Sequence, residues 1–205
     1  MIIRPNDVSS KERYKLAIGS VLPRPIAWVS TISKEGDANL APFSYFTVAS
    51  VSPLTLLFCP QNPRDNVKKH TQQNIEAVPE FVINLTNEET AEAMNLTATD
   101  LPLGRSEFEF AGVTPVASET ISVPRVAEAP IAFECKLQQL IRISEQAGGG
   151  TVIFGEVSCI HIQDDIYVDG YVQLDKFKPI GRLAGASYTR VTDLFDIQRL
   201  PAPSS

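Results

Sequence analysis

A mainly β, antiparallel barrel with a few short helical excursions is the fold class this sequence predicts, and three observations predict it. Strand-like runs outnumber helical ones and are separated by turn residues throughout. Two long runs, residues 131–143 and 151–162, flank Gly148-Gly149-Gly150 and read as a hairpin. Leu54-Thr-Leu-Leu-Phe-Cys59 is apolar almost throughout, as expected of a strand buried on both faces.

The first predicted element is a short helix over residues 9–21, where Ser9 and Glu12 have capping-box spacing, ended by Pro23 and Pro25. Residues 26–33 follow as a strand with β-branched and aromatic side chains, and Lys34-Glu35-Gly36-Asp37 as a turn. The next strand, about 38–51, contains Asn39-Leu40-Ala41-Pro42-Phe43-Ser44. Proline donates no hydrogen bond, so pairing is expected to stop there. The amides near Ala41 and Ser44 are then expected to be free for a flat heteroaromatic ligand rich in acceptors. After the strand at 54–59, the stretch from Arg64 to Ile75 reads as a helix capped by Asp65 or Asn66. Arg64 beside that helix start makes either an anion site or a plain surface helix whose arginine meets a local carboxylate; on this stretch alone the surface helix leads.

A strand at 80–85, a capped helix at 87–94 and a helical turn at 106–111 come next, with a long loop between the last two. A short strand is expected at 112–118. Residues 131–143 alternate, with Ile131, Phe133, Cys135, Leu137, Ile141 and Ile143 on the apolar side and Gln139 as its one break. Gly155 marks either a bulge, a barrel bend or a close backbone approach. The tail at 200–205 reads as frayed.

The 205 residues suggest one domain, with its core at about 20–190. The net charge of −6 has the wrong sign for a nucleic-acid footprint, no run of about 18 apolar residues suggests a membrane span, and the cytoplasm is the expected compartment. Cys59, Cys135 and Cys159 stand alone in apolar runs and read as buried thiols. His70 and His161 are too far apart in sequence to suggest a metal site, and His161 reads as a satisfied strand histidine. Walker, Rossmann and nucleophile-elbow motifs are absent, so redox chemistry carried by an organic cofactor is the economical expectation, and no catalytic residue is assigned.

Several ordered segments together resemble the flavin reductase-like family, whose members bind FMN in a split β-barrel. They are Arg24-Pro-Ile-Ala-Trp-Val-Ser-Thr31, Asn39-Leu-Ala-Pro-Phe-Ser-Tyr-Phe46, Asn62-Pro-Arg-Asp65, Glu80-Phe-Val-Ile-Asn-Leu85, Met94-Asn95, Ser106-Glu-Phe108, Gly155-Glu-Val157 with His161, and Arg182-Leu-Ala-Gly185 with Tyr188. The resemblance implies an FMN groove shared by two subunits of a homodimer. In it, Ser30 and Thr31 would meet the ribityl phosphate, completed by Arg64 and Asn66. Asn39, Leu40, Ala41 and Ser44 would meet the isoalloxazine edge, with Tyr188 and the 182–185 loop near the flavin or the partner subunit. Trp28 reads as packing, not as a flavin platform. The resemblance further implies NADH or NADPH as electron donor, a flavin or another acceptor, and a flavin-using monooxygenase or redox partner. Three positions depart from the family pattern: Gly148-Gly-Gly-Thr151 lacks a histidine, Ala184 replaces a glycine, and Asn66 replaces a threonine. The first departure keeps open an FMN electron carrier or sensor without its own nicotinamide chemistry. A barrel-shaped binding module that has lost FMN is the remaining expectation.

Overall fold

The computed structural model describes residues 1–63, 68–99, 101 and 105–200. In chain order its strands are β1 (Ala27–Ile32), β2 (Ala38–Phe43), β3 (Phe46–Val51), β4 (Leu54–Phe58), β5 (Glu80–Leu85), β6 (Pro115–Val116), β7 (Arg125–Val126), β8 (Ile131–Arg142), β9 (Thr151–Ile162), β10 (Tyr167–Val168), β11 (Tyr171–Val172), β12 (Ile180–Arg182) and β13 (Tyr188–Arg190). The α-helices are α1 (Ser10–Ser20), α2 (His70–Ala77), α3 (Ala91–Leu96), α4 (Glu107–Ala111) and α5 (Leu174–Phe177).

One seven-stranded antiparallel sheet dominates, in the order β2-β1-β5-β8-β9-β4-β3. Its two outer strands are consecutive in the chain and are joined by Ser44 and Tyr45 alone. The sheet is rolled around an interior cluster of Ala27, Val29, Leu56, Phe58, Phe81, Ile83, Cys135 and Ile153, drawn from β1, β4, β5, β8 and β9. Phe58 of β4 meets Phe81 of β5 edge-on at 5.5 Å, although two strands lie between them in the sheet order. The barrel expectation is met in part: among the described residues no ladder joins β2 to β3, so the roll keeps two edges.

The opposite face of β1 and β2 forms a second core. Ile26, Trp28 and Leu40 pack there with Met94 of α3 and Phe108 of α4. Trp28 is fully buried and donates its indole N–H to Thr97 Oγ1 (2.9 Å), which makes it packing as expected. Helix α1 starts where its sequence places it: Ser9 Oγ accepts from the Glu12 amide, and Glu12 Oε2 accepts from the Ser9 amide.

The alternation along β8 runs as expected only to Leu137. A register shift between Leu137 and Gln139 inserts Gln138 as an extra residue. The side-chain phase flips there. Leu140 packs against the interior cluster, while Ile141 and Ile143 are 39% and 67% exposed. The expected inward Ile141 and Ile143 are therefore corrected, and the break at Gln139 is the mark of the bulge. The expected strand at 112–118 shrinks to the two residues of β6, paired with β7.

Gly155 resolves as a close approach. It lies between Leu56 of β4 and Leu137 of β8, and a Cβ there would overlap the Phe81 ring and stand 2.9 Å from Cys135 Cβ. Neither neighbour can retreat, since both are fully buried. Gly155→Ala is expected to destabilise the fold by about 1–3 kcal/mol through overpacking. In thermal unfolding that is a fall of about 2–4 °C for each kcal/mol in a domain of this size. An unchanged melting temperature would show that the interior has slack at this point.

Candidate functional site

The site begins at the outer edge of β2. The β1–β2 hairpin turns through residues 33–37, with the Ser33 amide donating to the Asp37 carbonyl (2.9 Å) and Gly36 at φ 93°. Pairing then continues in unbroken register, Ser30 opposite Leu40, Val29 opposite Ala41, Trp28 opposite Pro42 and Ala27 opposite Phe43. The expected break at Pro42 does not occur. The reason lies in the period of the strand. The Leu40 amide points off the edge and donates to Glu107 Oε2 (3.3 Å). Pro42, two residues on, turns its nitrogen the same way, so the ladder to β1 loses nothing. The same alternation turns the Ala41 amide toward β1, which corrects the expectation that it is free.

Helix α2 forms the facing wall. Its N-cap is Lys69, not the expected Asp65 or Asn66; Arg64, Asp65 and Asn66 themselves lie outside the described residues. Asn39 pins the helix to the hairpin. Its amide nitrogen donates to Thr71 Oγ1 (3.0 Å) and Thr31 Oγ1 (3.4 Å), and Asn74 donates to the same Thr31 oxygen (3.0 Å). Thr31, Asn39 and Thr71 are all buried, which makes this polar network costly to break.

Two adjoining cavities of about 490 and 360 Å³ run along this edge and share Asn39, His70, Leu101 and Glu107. Both lie in the size range of small-molecule sites. Ala41, Pro42 and Phe43 line the smaller one, opposite Lys68, Lys69 and Thr71. The structure thus gathers Asn39 and Ala41 on one groove, with Leu40 on the same edge and Thr31 behind Asn39. Ser30 faces the other way, fully buried, donating to the Pro124 carbonyl (2.6 Å). Ser44 lies in a neighbouring cavity, where its hydroxyl accepts from Arg24 Nε (3.3 Å). Tyr188 donates to Asn95 Oδ1 (3.0 Å) beneath the Arg182 guanidinium, which sits 4.6 Å from its ring centroid. Glu107, His70, Lys68 and Thr71 were not singled out by the sequence as site residues. Of these, only the helix start leaves a signal in the sequence, and the structure puts its cap at Lys69.

A second polar cluster lies on the β8–β9 pair. Glu134 is fully buried, and its carboxylate meets four donors: the amides of Glu119 (2.6 Å) and Thr120 (2.7 Å), Thr120 Oγ1, and His161 Nε2 (2.6 Å). Burial pushes this carboxyl up. The Thr120 hydroxyl, the two amides and His161 outweigh it and bring the pKa down to about 2. His161 is thereby the satisfied strand histidine expected. Cys159 Sγ stands 3.8 Å from the same imidazole nitrogen, so this thiol has a histidine neighbour that spacing did not reveal. Cys135 alone of the three cysteines is fully buried; Cys59 and Cys159 are half-buried.

Residues 18–178 match the family described as flavin reductase like domain. The chain belongs to that family. It is similar to nitrilotriacetate monooxygenase component B from Bacillus cereus, at 37% identity and a TM-score of 0.92 over 96% of this chain and 98% of that one. It is also similar to 2-nitrobenzoate 2-nitroreductase from Pseudomonas fluorescens, at 33% identity and a TM-score of 0.87 over the whole of both chains. A split-barrel-domain protein from Shewanella frigidimarina, 20% identical, shares the fold with a TM-score of 0.83 over 98% of this chain and 100% of that one.

The Glu134 cluster has a pH signature. Its folded pKa lies below the ordinary carboxylate value of 4.5, so its stabilisation is complete above that value and is lost as pH falls toward about 2. Glu134→Gln is expected to cost about 1–3 kcal/mol at neutral pH by leaving buried donors poorly matched. The gap between variant and parent should close in urea melts run at progressively lower pH. A gap that stays constant with pH would assign the loss to packing instead.

Proposed function

We propose that this protein is an FMN-dependent oxidoreductase that takes its electrons from NADH or NADPH and delivers them to a flavin or another small acceptor. The observation that carries the reading is the groove at the β2 edge in a chain of the flavin reductase-like family. The described residues fit a flavin mononucleotide. The groove has room for it, the start of α2 supplies hydrogen-bond donors beside Lys68, whose ammonium is paired with Glu76 (2.5 Å), and Asn39 and Ala41 offer a flat strand edge. Arg64 and Asn66, which precede this helix in sequence, are proposed to complete the phosphate site. Ser30, Thr31, Leu40, Ser44 and Tyr188 are proposed as its supporting shell. FMN, when bound, supplies the redox chemistry. The protein's own part is to hold the cofactor on a rigid edge and to keep water from it. The similar proteins named for a monooxygenase component and a nitroreductase support electron delivery as the role.

A second reading is an FMN electron carrier without nicotinamide chemistry. It is favoured by Thr151, which is fully buried behind Gly148-Gly149-Gly150 with no imidazole in that stretch, and by His161, which is tied to Glu134. A homodimer is proposed with either reading. Val48 and Val51 on the β3 edge, and Phe195 and Ile197 near the C-terminus, are 56%, 82%, 82% and 82% exposed, apolar surface that a second chain would cover.

Purified protein is expected to take up FMN, quench its fluorescence and then oxidise NADH or NADPH, with light scattering showing two chains per particle. Arg64→Ala should weaken FMN about tenfold or more, the usual scale for losing a charge-assisted hydrogen bond. A yellow protein inert to both nicotinamides would select the second reading. A protein that neither colours nor quenches FMN would overturn both.

A further inference from the structure

Beyond the groove, across the Pro42–Phe43 corner, lies a third cavity of about 230 Å³. It shares Pro42, Phe43 and Lys69 with the smaller groove cavity. Its charged lining is of one sign: Arg24, Arg182 and Lys69 reach it, and no aspartate or glutamate does among the described residues. Arg24 is 6% exposed. Its partners are all neutral oxygens: the carbonyls of Ile18 (2.8 Å), Val21 (2.9 Å) and Leu183 (3.0 Å), and Ser44 Oγ (3.3 Å). Arg182 likewise donates only to carbonyls, those of Ser187 (2.9 Å) and Gly185. Among the described residues no carboxylate lies within ion-pair distance of either guanidinium.

A buried cation ordinarily has a counter-charge, because taking it out of water is expensive. The carbonyls at the end of α1 offer only the partial negative charge of a helix C-terminus. Two phenols, Tyr14 and Tyr45, also line it. Tyr45 has its pKa raised, first by burial and then by the nearby Tyr14, so it stays protonated and able to donate. Gln61 and Cys59 add an amide and a thiol, and Ile18, Phe43 and Leu183 supply apolar wall. Such a combination suits a planar body carrying a negative group, since a guanidinium fork matches a carboxylate with two parallel N–H donors. The volume is that of about eight water molecules at roughly 30 Å³ each, enough for one substituted ring and too little for a second flavin.

We propose that this cavity is a binding site for a small planar organic carboxylate, held by the free N–H groups of Arg182 against the Pro42–Phe43 corner, with Arg24, four of whose five N–H groups already donate to protein oxygens, contributing its charge. Binding of the anion stands on the cavity alone. Its service as the electron acceptor rests on the flavin reading given above.

The test compares benzoate with benzamide, two ligands of one shape that differ in charge. Calorimetric titration of the full chain, with and without FMN, is expected to show benzoate binding at least about tenfold tighter than benzamide. Arg182→Met should erase that preference, and Arg182→Lys should retain most of it, with circular dichroism confirming that both variants fold. In FMN-loaded protein, benzoate should also perturb the flavin absorbance. Equal affinity for the two ligands, or no binding of benzoate at about 10 mM, overturns the proposal. So does a preference that survives Arg182→Met. Failure to bind FMN would sink the flavin reading while leaving the benzoate comparison on the chain alone to decide this one.

Discussion

Phe43 ends β2 and Phe46 begins β3, yet these strands are the two outer members of the seven-stranded order. Three residue steps reach at most about 11 Å at roughly 3.6 Å each. A flat sheet would hold its first and seventh strands about 29 Å apart, at six spacings of roughly 4.8 Å. The short link through Ser44 and Tyr45 is therefore incompatible with a flat sheet, and the roll follows from connectivity. The interior phenylalanines show the result. Phe43, at the end of β2, lies 5.1 Å from Phe58 of β4, and Phe58 in turn touches Phe81 of β5. Gly155 belongs to the same constraint, for a rolled sheet brings β9 so near Phe81 that no Cβ fits between them.

That link also decides where ligands can go. A rolled sheet with two edges exposes backbone only at those edges. The β2 edge is walled by α2, held at the right distance by Asn39, Thr31, Thr71 and Asn74. The Pro42–Phe43 corner faces the groove on one side and the arginine-lined cavity on the other. Two substrates placed in these cavities would meet across a rigid corner whose position is fixed by the core, not by a loop. Precision of that kind is easier to maintain on strands than on mobile segments.

The legible parts of this fold were those that local pattern determines. The capping box at Ser9 and Glu12, the Gly36 turn and the long β8–β9 hairpin all follow from residue chemistry within a few positions. What could not be read depends on which edge faces what. Proline at 42 signals a break in an inner strand and costs nothing on an outer one, and strand order is a tertiary fact. The phase flip at Gln138 is similar, since a bulge obeys the partner strand as much as its own sequence. For the site, the stretch 39–44 was recognisable, but Glu107 reaches Leu40 from 67 positions away and leaves no trace in local pattern. The pairing of His161 with Glu134 is hidden in the same way, set by a cross-strand register between distant positions.

The two edges of the sheet are treated unequally, and the difference bears on function. Bare edges invite another strand, which needs an outward donor at every second residue. Along β2 two of the three outward positions are Leu40, whose donor is held by the Glu107 carboxylate, and Pro42, which has none. An incoming strand therefore meets two successive positions that cannot donate to it. A planar cofactor has no such requirement: it needs a flat wall, a few donors and charge at one end, and Ala41, Asn39 and the start of α2 offer these together. The β3 edge, Phe46-Thr-Val-Ala-Ser-Val51, carries neither proline nor charge, and its valines face solvent. Closing one edge to strands while leaving it open to a ligand, and leaving the other edge apolar and unguarded, separates the two tasks. The guarded edge refuses a further strand, and the unguarded one has no such block.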